Sequence, residues 1–448
     1  MPAVIANVAA GMPPAAPALP PEISKIRRSW ITLMLALVAF LAATDRNILA
    51  VLLVPIQRDL HVGDTAMGAL TGLAYALVYA TIALPMAQIA ERANRRNFLV
   101  AAVAGWSVMT ALCGLAGNYV QLLLARFGVA AGEAASTPTG LSMIADVYPP
   151  TKRGAAIGVI TIGSALGFSA GAFIAGALNQ RYGWHAAMLA VGLPGLAVAV
   201  LVRLSVPEPQ RGAHDRHALP PLPMIDGLRR LLAIRTFWPL ALGMVFLNIA
   251  FLGFLGWLPT FFLRVHHLST SSMGAMFGLI VGVGGVAANA IAGPVSDLLS
   301  RRGARWRMYY CVAMGVISTP LMLLGLAATA TPIAVAVLIA YTLAAGGLTT
   351  VTYASMISIA PSNLRATIMA VTGLAVTVFG AGFGPLLIGL LNDACKGAFG
   401  ELAVRYTMMS GPVGLLVASV MFFIAGRTIE ADCAEATGEP ASPNRSGQ

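Results

Sequence analysis

Long apolar stretches separated by short polar segments recur from one end of the chain to the other. Each runs for about 20 residues or more, enough at about 1.5 Å per residue to cross a hydrocarbon core about 30 Å thick. With Pro and Gly as punctuation, the pattern predicts twelve helices. Six lie at 30–56, 66–90, 97–116, 119–146, 154–178 and 184–205, and six at 236–263, 271–296, 307–329, 331–360, 366–392 and 402–426. The expected fold is an all-α membrane protein with twelve transmembrane helices in two six-helix bundles, 29–205 and 236–427. A linker at 206–235 joins them, and tails at 1–28 and 428–448 are expected to be disordered and cytoplasmic. The first apolar run is too long for a signal-peptide core and has no cleavage-type ending, so it is kept as a helix.

Composition agrees with this reading: 58% of the 448 residues are hydrophobic and only 10% charged, against about 25% charged in soluble domains. With the N-terminus inside, 21 of the 28 Lys and Arg fall on one side, five on the other, and two, Arg46 and Arg126, within helices. The positive-inside rule then puts both termini in the cytoplasm of an inner-membrane protein. That distribution explains the net charge of +11 without a nucleic-acid partner. None of the three lysines sits in a phosphate-binding loop, so any active transport draws on an ion gradient or a partner. The four cysteines are scattered, with no metal-like spacing, and no metal or cofactor is expected. An enzyme is not expected either: G-x-S-x-G and H-E-x-x-H are absent, and His266 and His267 stand alone in a short outer loop.

The two halves repeat. Glu91, Arg95 and Arg96 between helices two and three, where Arg92 also lies, match Asp297, Arg301 and Arg302 between helices eight and nine, an acid-x-x-x-Arg-Arg pattern 206 residues apart. Pro149 four residues before Arg153 is matched by Pro361 four residues before Arg365. Such a parallel repeat implies six plus six helices with a solute path between the halves. An acid facing arginines on neighbouring helix ends can form a charge-assisted latch that breaks on opening. Glu91, Arg95, Asp146 and Arg153 are expected in one latch, and Asp297, Arg301 and Arg365 in the other.

Four ionisable residues fall inside helices, all in the first half: Asp45, Arg46, Arg126 and Glu133. Each costs about 2.5–3.5 kcal/mol at the bilayer centre on insertion scales, so their presence points to function. Arg126 and Glu133 are seven residues apart on one helix face, which Thr137 extends. With both acids ionised the set is neutral, and protonating one frees a guanidinium for an anion, the logic of symport. Asp45 and Glu133 are the expected proton-coupling groups, with Glu133 as carrier, Asp45 as partner of Arg46 or Arg126, and the arginines as the anion site. The second half offers neutral groups, among them Asn248, Asn289, Thr350 and Tyr353. A charged half facing an apolar one suits an amphipathic solute, its head at Arg46 and Arg126 and its tail against Phe246, Phe251 and Trp257.

Loop 2–3 resembles the G-x-x-x-D-R-x-G-R-R pattern of the major facilitator superfamily, with Ala87, Glu91 and Asn94 replacing the first Gly, the Asp and the second Gly. Asn94, the Asp45–Arg46 pair, Gly132-Glu133-Ala134, the GWHAAMLAVGLPGL run from Gly183 and PEPQRG after helix six are similar to the spinster family. The resemblance implies alternating access and a lysophospholipid or sphingoid-phosphate-like substrate. Parts of the same pattern resemble the superfamily's anion:cation symporters, which leaves a small organic anion with a proton as the alternative. A drug-efflux antiporter is less favoured, because helix five lacks a Gly-Pro. The expected partners are a small-molecule or lipid substrate, protons and the bilayer, with the chain acting as a monomer.

Three further features carry structure. Gly158, Gly163, Gly167, Gly171 and Gly176 make a small-residue face for close packing. Pro85, Pro138, Pro259 and Pro294 are expected kinks. Met224–Ile234 is a basic amphipathic stretch that could lie on the inner leaflet, Arg229 and Arg230 meeting lipid phosphates, or serve as a solvated linker.

Overall fold

The computed structural model describes residues 24–211, 224–361 and 364–437, the side chains of 84, 87, 91, 150, 151, 224, 225, 366 and 437 excepted. Among the described residues all regular structure is helical. In the first half α1 is Lys25–Leu60. Helix α2 runs from Asp64–Gly68 through the π-helical Ala69–Ala74 into Tyr75–Arg92, α3 is Arg95–Cys113 and α4 Tyr119–Val147. Pro150–Ser205 is one helical run broken at Gly183, where φ of 79° needs a residue without Cβ; α5 precedes the break and α6 follows it. The linker carries α7, Met224–Ala233.

The second half opens with α8, Phe237–Val265. Helix α9 comprises Thr270–Phe277, the π-helical Gly278–Val283 and Gly284–Ser300, and α10 is Ala304–Ala327. Helix α11 joins Thr331–Gly346 to Leu348–Ser358, and α12 joins Arg365–Ala375 through the π-helical Val376–Gly382 to Phe383–Phe399. Ala403–Met408 and Gly411–Thr437 form α13. Among the described residues, nine helical stretches are long and apolar enough to span a membrane. Two of them, Lys152–Ser205 and Thr367–Ala436, each contain two spans, and α4 completes the expected twelve. It falls short on apolarity because Arg126, Glu133 and several hydroxyl residues dilute it.

Side-chain caps begin several helices where the sequence turns polar. Asn94 Oδ1 accepts from Asn97 N at 2.9 Å before α3, and Asn118 Oδ1 from Gln121 N at 2.9 Å before α4. The glycine face of α5 packs against α1 at backbone contact: a Cβ on Gly167 would stand 2.1 Å from Phe40 O, and one on Gly163 2.4 Å from Ala36 O. The four expected kink prolines lie inside helices, whereas departures from α geometry fall at the three π segments, at Gly183 and Gly347, and at Met409 and Ser410. The tail expected from 428 is corrected. Helix α13 runs to Thr437 because polar contacts hold it: Asp432 Oδ2 accepts from Thr236 N at 2.8 Å, and Glu430 Oε1 pairs with Arg305 Nε at 2.8 Å. The described part of the first tail likewise becomes helical at Lys25, after Ser24.

Every hydrogen bond between the halves, among the described residues, lies at the end opposite the α2–α3 loop. The seam there is lined by small residues. Gly274 of α9 packs on Ala172 O, and Gly176 of α5 packs on Thr270 O, where added Cβ atoms would stand 2.5 and 2.3 Å away.

Candidate functional site

Helix α1 brings Asp45 and Arg46 to the middle of the first half, opposite Arg126 and Glu133 of α4. The two arginines have different surroundings. Arg46 has a side chain 44% exposed, with Nε held by Glu133 Oε2 at 2.8 Å. Glu133 is fully buried behind it, and the same oxygen accepts from Tyr75 Oη of α2 at 2.6 Å. The Nη nitrogens of Arg46 have no protein acceptor among the described residues. Exposed, paired on one edge and bare on the other, this guanidinium has the geometry to hold an oxyanion through its Nη groups.

Arg126 is 2% exposed and gives both Nη groups to the main-chain oxygen of Asp45 at 3.3 Å, while its Nε lacks a hydrogen bond. The Asp45 side chain is inside the same cluster at 3% exposure, its Oδ1 buried without a hydrogen-bond partner, as is Oε1 of Glu133. The pairing expected from sequence is therefore corrected. Arg46 pairs with Glu133, Arg126 binds the backbone of residue 45, and the carboxylate of Asp45 has no ion pair within 4 Å among the described residues. Arg126 as a direct solute ligand is corrected too, since α1 covers it in this conformation. Thr137 is exposed, beyond Glu133 toward the α2–α3 end of α4.

The second-half lining needs larger correction. Trp257 is fully buried and its indole N–H donates to Pro385 O at 2.8 Å, so it is a packing residue between α8 and α12. Asn248 is buried, donates to Met244 O at 2.8 Å and abuts Gly380. Phe246 lines an apolar groove of about 300 Å³ with residues of α12 and α13, among them the exposed Leu387 and Val413. Tyr353 is half-buried. On α8 the helical pattern could not separate these environments, because several of its faces are buried.

At the α2–α3 end, Arg95 and Asp146 form a buried ion pair as expected. The residue missed is Glu208, of the segment after α6. Its Oε1 takes Arg95 Nε at 3.1 Å, its Oε2 takes Arg96 N at 2.7 Å, and Pro209 O accepts from Arg95 Nη2 at 2.8 Å. Arg92 is exposed, and the side chain of Glu91 lies outside the described residues. Arg153 turns back on its own connection, donating to Tyr148 O at 3.1 Å and Ala145 O at 2.7 Å.

The second latch is not assembled: Asp297, Arg301, Arg302 and Arg365 are exposed and form no ion pair among the described residues, and Arg365 Nε donates to Ala360 O at 3.3 Å. Water-exposed charges gain little from pairing, and here the ion pair is Arg305–Glu430. Glu430 follows the last span of its half as Glu208 does in the first, a correspondence the sequence offered in its acids after helices six and twelve.

A second missed cluster closes the opposite end. Arg264 of α8 donates to Asp64 Oδ2 at 2.7 Å, to Asp64 Oδ1 at 2.8 Å and to Gln57 Oε1 at 2.8 Å. Glu401 Oε2 lies 3.1 Å from its Nε. Asp393 of α12 accepts from Asp64 N at 3.1 Å and Thr65 N at 2.8 Å, capping the start of α2 across the seam. The signal was Asp64 at a helix start and Arg264 at a helix end in outer loops that otherwise hold few charges.

Residues 35–385 match the family model of the Major Facilitator Superfamily. The chain is 30% identical over 417 residues to an MFS-type efflux pump of Mycolicibacterium smegmatis, covering 91% of this chain and 95% of that protein. It is 28% identical over 298 residues to a probable L-galactonate transporter of Escherichia coli, covering 62% and 64%. Among solved structures, a bacterial homolog of the human lysosomal transporter Spinster, in an inward-facing and unoccupied conformation, superposes with a TM-score of 0.83 at 28% identity. The match covers 92% of this chain and 99% of that one.

Proposed function

The chain belongs to the Major Facilitator Superfamily as a spinster-like membrane transporter, and on that premise we propose that it is a proton-coupled carrier of an anionic solute. The observation that carries this reading is Arg46: half-exposed, tied to Glu133 through Nε, with both Nη groups free for an oxyanion. Asp45 is the proton carrier in this scheme and Glu133 the group that orients Arg46. The acids exchange the roles expected from the sequence because an adjacent guanidinium favours the ionised carboxylate, and Asp45 is the carboxylate farther from an arginine's donors. With Asp45 ionised the four groups are neutral. With it protonated the cluster carries one positive charge, which the anion balances, so proton and anion travel together.

The halves are hydrogen-bonded through Arg264, Asp64 and Asp393 at one end and, among the described residues, not at the α2–α3 end, which supports a carrier open on its basic side, taken as cytoplasmic. Alternating access then requires the Arg264 cluster to break and the small-residue seam to part. An amphipathic anion, of the lysophospholipid or sphingoid-phosphate kind, is favoured by likeness to spinster. A small organic anion is the second reading, favoured by likeness to the galactonate transporter and by the burial of Trp257 between α8 and α12, away from any solute. Melting of the purified protein with lysophospholipids, sphingosine phosphate or short organic acids, at two pH values and repeated with Arg46→Ala, tests both. Stabilisation that persists in Arg46→Ala would overturn the anion site, and stabilisation by short acids alone would select the second reading.

A further inference from the structure

The linker helix α7 is absorbed by neither the solute site nor the gates. It is seated on the second half: Leu231 is fully buried, and a Cβ on Gly227 would stand 3.3 Å from Thr367 Oγ1 and 3.7 Å from Leu364 Cδ2 at the start of α12. With that face fixed, Leu228 and Leu232 remain exposed on one flank, Arg229 is exposed next to them, and Arg230 is exposed on the far side of the helix. Arg235, just past the helix, is exposed as well. None of the three arginines has an ion-pair partner among the described residues. The helix carries a single acid, Asp226 in its first turn, where a negative charge suits the helix dipole.

Depth comes from Trp238. It stands in the first turn of α8, where an apolar span begins, with its ring half-exposed and its indole N–H donating to Leu232 O at 3.1 Å. An exposed tryptophan at the end of a span sits at the headgroup level of a bilayer. Its bond to Leu232 holds the end of α7 at that level, with leucines available to acyl chains and arginines to phosphates. An acidic soluble partner would use the arginines but leave the leucines and Trp238 unexplained.

We propose that α7 with Arg229, Arg230 and Arg235 is a docking site for anionic phospholipid headgroups in the leaflet at the basic end. Each basic residue near an anionic surface strengthens binding about fivefold, so the three together contribute roughly a hundredfold.

The test uses the full chain purified in detergent, with melting followed against added dioleoyl phosphatidylglycerol, dioleoyl phosphatidylcholine or inorganic phosphate. Phosphatidylglycerol should raise the melting temperature of the wild type, and neither of the others should. In Arg229→Gln/Arg230→Gln/Arg235→Gln the half-saturating phosphatidylglycerol concentration should rise roughly a hundredfold, whereas the triple Arg→Lys variant should keep most of the affinity. The Lys variant guards against a folding defect, as does quenching of Trp238 by brominated phosphatidylglycerol, read as the difference from Trp238→Phe. An equal response to phosphatidylcholine, a response to inorganic phosphate alone, unchanged affinity in the Gln variant, or absence of quenching would each overturn the site.

Discussion

The two halves share a topology and differ in what they bury at mid-depth. The first encloses Asp45, Arg126 and Glu133, with Arg46 at the surface of the cluster. In the second, the glycine pair of α11 presses on alanines: Cβ atoms on Gly346 and Gly347 would stand 3.1 Å from Ala288 Cβ and 2.6 Å from Ala292 Cβ. Charge in one place and close apolar contact in the other divide the labour. A cluster with unpartnered buried atoms, including Asp45 Oδ1 and Arg126 Nε, can change protonation and hydration, whereas a close-packed helix pair keeps its shape while its partner moves. The most severe way to break this contrast is Arg46→Ala. It removes the exposed fork and leaves Glu133 with Tyr75 alone, so solute affinity should fall about a hundredfold or more, two lost charge-assisted hydrogen bonds being worth about 3–6 kcal/mol. Solute-induced melting shifts measure it, and an affinity within threefold of wild type would remove Arg46 from the site.

Next in size is the separation of the two acids. If one proton accompanies each solute, the accumulation ratio in proteoliposomes should change about tenfold per unit of imposed ΔpH, the equivalent of about 1.4 kcal/mol. Asp45→Asn should flatten that dependence and leave downhill exchange intact. Glu133→Gln should retain the slope and weaken solute affinity, because Arg46 loses the charge that orients it. The opposite pattern would restore Glu133 as carrier.

Twelve spans, the two-half repeat and the first-half charge set were legible in the sequence because each rests on a local pattern: apolar length, motif offset, or an ionisable residue in an apolar run. What each charge touches was not legible, since Arg46 and Arg126 reach different acceptors only through the rotation of α1 against α4. The repeated Pro-x-x-x-Arg shows how a true repeat misleads. In both halves the arginine folds back on a carbonyl five residues earlier, Tyr148 O for Arg153 and Ala360 O for Arg365, so the motif includes a local helix-end cap. The acids completing each basic end, Glu208 and Glu430, lie far from those motifs in the chain. Phe246 and Trp257 illustrate the same limit, as apolarity does not distinguish a cavity wall from a packing face or a lipid-facing groove.

The contrast also extends to the closed end, where the halves exchange charges. Arg264→Met leaves Asp64, buried against the seam, without its ion-pair partner and with only the Gln57 amide as a side-chain donor. Breaking a buried pair costs about 3–5 kcal/mol, and the small exposure of Arg264 places it toward the lower value. The cost falls on the conformation closed at this end, so the population should shift toward its opening. Electron–electron distances between spin labels at Arg181 and His267 should lengthen, and Asp64→Asn should act in the same direction with smaller effect. An unchanged distance distribution would assign the cluster to folding alone.

The smallest and most selective comparison uses two glycines at the repeat offset of 206 residues, Gly167 in α5 and Gly373 in α12. A Cβ on Gly167 would lie 2.1 Å from Phe40 O, whereas one on Gly373 meets nothing within 4 Å. Phe40 O is main chain and cannot swing aside, and Thr44 Oγ1 also donates to Gly167 O at 2.9 Å, so α1 and α5 must separate to admit a methyl group. Gly167→Ala should therefore destabilise by about 1–3 kcal/mol, the usual cost of overpacking. Gly373→Ala should be neutral or stabilise by up to about 1 kcal/mol, the propensity gained when alanine replaces glycine in a helix. Thermal unfolding of the two variants in one detergent reads the difference in sign. If both were destabilised equally, the contrast between Gly167, seated on the main chain of α1, and Gly373, which faces open space, would fail.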